Sequence, residues 1–511
     1  MLVPTTMLPR TPLYRWLAVA FVVALVFVWH PKLDTTSLVA YTHTKPSSSP
    51  DPSNSAGLDP TSWVRQVLKT HSVGPDVSYA ARTLQYIADE KERPLITEVD
   101  HALLPERFQN ITIDSSTPLP IGTTLGVHVK QLSRPEDADA SSVIFSVSTT
   151  LDRFNDDAMG PVKEFTRWLT DGKGNSNGAG LILALINCTD AELEGASKRL
   201  SSVGINATVM AANPSLDMPG RYVDLVRMLH NHPTASQRKY FALIDDDTFF
   251  PYISELIRRL FTYDYRKPYY IGTTTERVDW ILANDAPMAY GGGGVFLTAS
   301  SAKIIAEGNC LEKREDGKYV LDAQQGDRLL YNCFHRNSEV TLTYEPLLNQ
   351  MDQFGDPSGF YESGDQPLSL HHFKSWHKAP VAKIHTVADA CGEDCVLQRF
   401  KFKDNFIISN GYSVAEYPKG IDFDLEQTEF TFDVPADMPH PSVALFYRFG
   451  EGRKSLSKSG RKSQWVILDA RKERDGNVKQ IYLKQKSDDR WFEPEGENPA
   501  RDSVIVLTWV P

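Results

Sequence analysis

The feature that most constrains the fold is an alternation of two patterns between residues 142 and 272. "SVIFSVS" (Ser142–Ser148) and "LILALIN" (Leu181–Asn187) are unbroken apolar runs of strand length, the pattern of strands covered on both faces. "DAELEGASKRLSSVG" opens with Asp190, closes with Gly204 and predicts a helix. "INATVMA" predicts a strand, "GRYVDLVRMLHNH" a helix and "KYFALI" a strand. A helix with Pro251 in its first turn and a short strand, "PYYIG", complete the series. The alternation predicts an α/β fold with an open, mostly parallel central sheet, in which ligands collect at the carboxyl ends of the strands. Ser148, Thr149 and Thr150 fall at one such end, and Asp245, Asp246 and Asp247 at another.

The flanks differ. Leu13 to Lys32 holds an uncharged apolar run, Trp16 to Trp29, with Arg10 and Arg15 before it and no small-residue cleavage site after it. It predicts a signal anchor over 13–30, a cytoplasmic tail over 1–12 and a lumenal remainder. Residues 42–60, with "KPSSSPDPSNS", have the composition of an exposed stem, placed over 31–75. "TSWVRQVLKTH" and "SYAARTLQYIADEKER" predict helices of a stalk or lid, the second within an N-terminal extension over 76–140. A catalytic domain follows over 141–400. The β-rich runs "EFTFDV", "SVALFYRF", "QWVILDA", "QIYLKQK" and "SVIVLTWV" place a further region over 401–511.

Composition narrows the partners. A formal charge of -11 leaves no basic surplus for nucleic acid. The five cysteines and the sequons at Asn110, Asn187 and Asn206 fit an oxidising lumen. The expected bridges are Cys310–Cys333 and Cys391–Cys395, with Cys188 a buried thiol.

Four stretches carry chemistry. Three adjacent aspartates repel one another and need a compensating partner. Asp245 and Asp247 can hold Mn²⁺ or Mg²⁺, or Asp247 caps the following helix and the others face water. "MAYGGGGVFLTAS" (Met288–Ser300) supplies Gly292, Gly293 and Gly294, which let a donor sugar approach main chain, or form a plain loop. Asp327 in "QQGDRLLYNC" is a general base or a helix cap. "GDQPLSLHHFKSWHK" offers His371 and His372 to a metal, Trp376 and His377 as an aromatic wall for a sugar, and Lys374 and Lys378 to phosphate oxygens.

In order and spacing, "ALIDDDTFF", "YDYRKPYYIG", "MAYGGGGVFLT", "GDRLLYNC", "YEPLLNQMDQFGDPSGF" and "PLSLHH" resemble the Fringe-like glycosyltransferases of the β-1,3-glycosyltransferase superfamily. The likeness is to the plant and fungal branch with a tandem-histidine block. It runs from about Val143 to His372 and continues weakly through "NFIISNGYSVAEYP". It implies a GT-A-type fold, a UDP-sugar donor and Mn²⁺ (or Mg²⁺). The Asp-x-Asp motif falls on Asp245 and Asp247, with Asp247 the direct metal ligand and Asp246 beside the nucleotide. The catalytic base falls on Asp327, although relatives carry two acids in tandem where this chain has Gly326 before it. Fringe proper places its histidine ligand in the block matching "LLNQMDQ", which has none here, so His371 or His372 would serve. Ser148, Thr149 and Thr150 would line the nucleotide pocket.

The implied activity is metal-dependent, inverting transfer of a sugar from a UDP-sugar to a glycan or glycoprotein in the secretory pathway, by a single-pass type II protein of the Golgi (or ER) membrane. Two alternatives stand: a glycosidase, which needs neither metal nor nucleotide, and a catalytically inactive sugar-binding or scaffold protein of the secretory pathway.

Overall fold

In the computed structural model the described residues are 61–130, 134–433, 449–492 and 499–511. The apolar run over 13–30 and the Pro/Ser stretch lie outside them. Among the described residues, no helix is long and apolar enough to cross a membrane.

The alternation builds a seven-stranded sheet. Its order is Leu342–Tyr344, Tyr270–Gly272, Val295–Thr298, Tyr240–Leu243, Val143–Thr150, Gly180–Ile186, Ala207–Ala211. Neighbours are parallel except where Val295–Thr298 runs antiparallel to both of its partners. The chain leaves Val143–Thr150 towards one edge and returns on its other side as Tyr240–Leu243. That reversal opens a crevice at the carboxyl ends of these two strands. The acidic triplet emerges there.

Both faces of this sheet are covered, which is why its strands read as unbroken apolar runs. On one face Ile144, Phe241 and Val295 pack with Val226, Ala302, Leu329 and Phe334 from the helices Met218–His230, Ala299–Glu307 and Gly326–Asn337. On the other, Phe145, Trp168 and Phe250 share a core with Phe400, Trp465 and Trp509 of a second sheet.

The second sheet has ten strands. It joins segments from opposite ends of the chain. Asp76–Glu90 pairs in parallel with Ser503–Val510, from Ser78 opposite Ser503 to Gln85 opposite Val510. Ile96–Val99 pairs with Arg399–Phe402. The extension over 76–140 and the β-rich region over 401–511 therefore form one layer, and Asp59–Pro511 is one compact unit. Two expectations change. "SYAARTLQYIADEKER" is part of the strand Asp76–Glu90, not a helix. Its Ala, Leu and Gln content favours helix, but the edge offered by Ser503–Val510 decides otherwise. The stem placed over 31–75 ends earlier, because the helix expected of a stalk or lid belongs to the compact unit. Ser62–Thr70 is a helix, as its sequence predicts, and it buries Val64, Val67 and Leu68 against Tyr79, Ile481 and Val504.

Cys310–Cys333 and Cys391–Cys395 are disulfide-bonded, and Cys188 is free and half-buried. Trp509 is fully buried between the layers, its indole N–H donating to Gln480 Oε1 at 3.0 Å. Trp509→Ala leaves a large cavity and an unsatisfied amide, and is expected to cost about 3–5 kcal/mol. Urea denaturation checks this, through a lowered midpoint with an unchanged slope.

Candidate active site

The helix after the aspartates is Ile253–Leu260, with Tyr252 at its N-cap, so Asp247 caps nothing. The three carboxylates diverge instead. Asp246 turns towards the first strand, accepting from Thr149 Oγ1 at 2.5 Å and pairing with Arg153 Nε at 2.6 Å. Asp247 turns inward, and its Oδ1 lies 3.1 Å from His371 Nε2. Asp245 Oδ2 lies 3.5 Å from the same nitrogen, with that side chain 46% exposed against 9% for Asp247. The triplet thus has one outward member, one inward member and one tied to an arginine.

His371 arrives because Phe249 and Leu370 exchange backbone hydrogen bonds of 2.9 and 2.8 Å, laying the histidine block beside the acidic turn. Its Nδ1 donates to the Gln350 carbonyl at 2.9 Å, so Nε2 is the nitrogen that faces the carboxylates, a donor to them when protonated and a metal ligand when not. Burial disfavours an imidazolium, but the Asp245 and Asp247 carboxylates outweigh it and raise His371 well above its ordinary value. Burial likewise pushes Asp247 upward, and the His371 hydrogen bond and charge overcome it and hold Asp247 below the usual carboxylate range. A pocket that protonates its own histidine is a pocket short of a cation.

His372 has a left-handed backbone, φ +56°. Its ring lies between those of His371, 3.7 Å away, and Trp376, 3.8 Å away, and its Nε2 is 3.2 Å from Asp352 Oδ1. Asp247, His371 and His372 each offer a ligand atom within 4.8 Å of the others. Carboxylate mixed with imidazole fits Mn²⁺ better than Mg²⁺, which favours an all-oxygen shell. The residues present fit a divalent cation held by Asp247 and His371, with Asp245 and His372 at its edge.

The glycines serve a purpose other than the one their sequence suggested. All are buried, and they meet protein, not an open face for a donor sugar. A Cβ on Gly292 would lie 2.2 Å from His371 Cε1, and one on Gly293 would lie 2.6 Å from Thr273 Cγ2. Gly294 has φ +90° and packs near Phe250 and Phe296. The loop is a seat for the histidine.

Asp327 is in the first turn of Gly326–Asn337, whose N-cap is Gln325. Its Oδ1 accepts from the Gly291 N–H at 2.9 Å, so it reaches across to the glycine loop and does not cap its own helix. Burial, then the negative charge of Asp245, push its carboxyl up to about 7, against the pull of the Tyr222 hydroxyl and then the Gly291 N–H. Gly326 has a packing reason: a Cβ there would lie 2.5 Å from Tyr222 Cβ. A second acid in tandem has no room.

Three other assignments change. Thr149 is taken up by Asp246, and Thr150 caps the helix Leu151–Asn155 by accepting from the Arg153 N–H at 3.2 Å. Only Ser148, with a buried and unpartnered Oγ, keeps a hydroxyl to offer at that strand end. His377 donates from Nε2 to the Met351 carbonyl at 2.9 Å, and burial lowers it to about 4, so it is a structural residue. Lys374 donates to the Met159 and Gly160 carbonyls and pairs with Glu164 at 3.1 Å, so its charge is matched within the protein. Residues the sequence did not single out include Arg153, Tyr222, Gln350 and Asp352. Gln350 and Asp352 sit in "LLNQMDQ", where the block itself was a signal. Nothing local marks Arg153 or Tyr222.

No family model and no curated protein matches this sequence. Among solved structures, similarity extends to the galactosyltransferase LgtC in complex with donor and acceptor sugar analogs (12% identity, 47% of this chain and 81% of that one, TM-score 0.29). It extends also to the glycosyltransferase GlyE of Streptococcus pneumoniae TIGR4 (12%, 48% and 59%, TM-score 0.29). A third is the mannosyltransferase PcManGT of Pyrobaculum calidifontis in complex with GDP-Man and Mn2+ (11%, 46% and 63%, TM-score 0.24). Likeness this slight assigns no activity to this chain.

Proposed function

We propose that this protein is a metal-dependent, inverting glycosyltransferase of GT-A type, moving a sugar from a UDP-sugar to a hydroxyl of a glycan or glycoprotein. One observation carries the reading: a buried Asp247–His371 pair, 3.1 Å apart, sits across the glycine loop from a carboxyl whose proton affinity is tuned to about 7. The first is a cation seat and the second a general base poised near neutrality.

Asp247 and His371 would hold Mn²⁺, which when bound offsets the charge that builds on the leaving diphosphate. Asp327 takes the proton from the acceptor hydroxyl as its oxygen bonds to the anomeric carbon. The bond from that carbon to the phosphate oxygen breaks on the opposite face, and its electron pair leaves with UDP. One base suffices for this single displacement. A double-displacement route would use a second carboxylate as nucleophile, and of the triplet Asp246 is tied to Thr149 and Arg153 and Asp247 to His371. Arg153, 39% exposed and 3.8 Å from Asp247, adds positive charge where phosphates would arrive.

The disulfides and the exposed Asn110, Asn187 and Asn206 support a lumenal setting in the Golgi or ER, with the run over 13–30 as a type II anchor. The inactive-scaffold reading weakens, because the glycine before Asp327 answers to Tyr222 and is not the trace of a lost acid.

The test is thermal. The Mn²⁺–UDP complex, at a hundred times its dissociation constant, is expected to add about 2.7 kcal/mol and raise the melting temperature by several degrees. EDTA should reverse this. A melting curve that Mn²⁺ and UDP leave unmoved rejects the reading, and a glycosidase would behave in that way.

A further inference from the structure

A stack of aromatic rings leads outward from the histidine pair. His372 lies on Trp376, Phe354 stacks on Trp376 at 4.4 Å with planes 22° apart, and Trp280 meets Trp376 edge-on at 6.4 Å. Buried beneath them, the Arg277 guanidinium lies 5.0 Å from the Trp280 ring centre and 5.8 Å from that of Phe354. Asp279 holds that guanidinium by paired hydrogen bonds of 3.0 and 2.5 Å. A charge fixed under two rings locks their orientation, so the ledge is rigid before anything binds. It is also open. Phe354 is 38% exposed, and Leu282, on the same short helix as Trp280, is 75% exposed.

The far end of the ledge is tied to the base. Asn284, which closes the Trp280 helix, donates to the Tyr290 hydroxyl at 3.0 Å, and its carbonyl accepts from Arg328, next to Asp327. Tyr290 precedes Gly291, whose N–H holds Asp327. The ring stack thus starts at His372 beside the cation seat, and the helix that carries Trp280 is tied to the loop that holds the proton acceptor.

The geometry points to this ledge as the subsite for a sugar acceptor, with Trp280 receiving the C–H face of a neutral saccharide ring beside the exposed rim of Phe354 and presenting a hydroxyl to Asp327. This rests on the transferase reading above and narrows its acceptor to a glycan in place of a bare peptide side chain. A pyranose has one flat apolar face and a polar rim, and it matches a fixed ring with the partly exposed Asp279 carboxylate beside it. A peptide would need an unpaired strand edge or a deep apolar groove. The one strand on the ring path, Phe354–Gly355, is two residues long, too short to take a peptide strand at its edge.

The experiment uses the purified full chain and four neutral probes: cellotriose, laminaritriose, chitotriose and β-1,4-galactotriose. Binding is followed by saturation-transfer NMR and tryptophan fluorescence, in the wild type and in Trp280→Ala and Phe354→Ala. At least one trisaccharide should bind, and each substitution should weaken it at least tenfold, while the melting shift produced by Mn²⁺ and UDP persists. Phe354→Ala keeps Trp280 in place and guards against a local collapse in the first variant. Failure of all four probes to bind, or unchanged affinity in both variants, overturns the assignment. Loss of the Mn²⁺ and UDP shift in the wild type instead overturns the transferase reading on which it rests.

Discussion

Asp327→Asn is expected to abolish transfer, by about 10²–10⁴-fold, while the stabilisation by Mn²⁺ and UDP survives. The amide keeps an oxygen for the Gly291 N–H, so the loop stays in place. It cannot take a proton from an incoming hydroxyl. The same substitution has a signature in stability. The folded protein holds this carboxyl at about 7, above its ordinary value of 3.8. Between those values the folded state keeps a proton that the unfolded chain releases, so stability falls as pH rises through the window. Above pH 7 the cost is at most about 4 kcal/mol, less to the extent that water reaches the half-buried side chain. Asn carries no charge. The variant should therefore melt higher than the wild type at pH 8 and equally near pH 4. Mn²⁺ should shrink the difference, because a cation near Asp245 offsets the charge that helps raise Asp327. Calorimetry at the two pH values, with and without Mn²⁺, reads all of this. Normal turnover in the variant would remove Asp327 from the chemistry.

The central sheet was legible because its signals are local. Val143–Thr150 and Gly180–Ile186 are apolar on both faces, and each repeats within a few tens of residues with a helix between. The aspartates at a strand end and the tandem histidines were legible for the same reason. Their meeting was not. It depends on the Phe249–Leu370 bridge, a contact across more than a hundred residues that no spacing announces. The second sheet was hidden more deeply. Asp76–Glu90 becomes a strand because Ser503–Val510, at the opposite end of the chain, lies beside it, and its own composition points to helix. Hydroxyls misled for a further reason: Thr149 and Thr150 sit at the expected strand end, yet the carboxylate of Asp246 and the helix start at Leu151 claim them first. The glycine run gave a true signal of close approach, with the wrong guest.

That guest supplies the second large effect. Gly292→Ala is expected to remove the proposed cation site without substituting any of its ligands. The added methyl would lie 2.2, 2.3 and 2.5 Å from Cε1, Nδ1 and Nε2 of His371, all far inside contact distance. The imidazole cannot retreat, because Gln350 fixes its Nδ1 and the His372 ring lies 3.7 Å away. Nor can the loop yield cheaply. The Gly292 carbonyl accepts from Thr248 Oγ1 at 3.0 Å, and the Thr248 hydroxyl oxygen in turn accepts from the Asp245 N–H at 3.0 Å. Whichever side gives, the Nε2–Asp247 pairing is displaced, and overpacking of this kind costs about 1–3 kcal/mol. The variant should keep its circular dichroism spectrum, lose the melting shift with Mn²⁺ and lose transfer by at least about 100-fold, since a misplaced ligand or reacting group carries a penalty of that order. The pattern is the reverse of Asp327→Asn, which keeps the metal and loses the proton transfer. An alanine at this position that still responds to Mn²⁺ as the wild type does would show that His371 is not the ligand, and that the glycine loop seats it for packing alone.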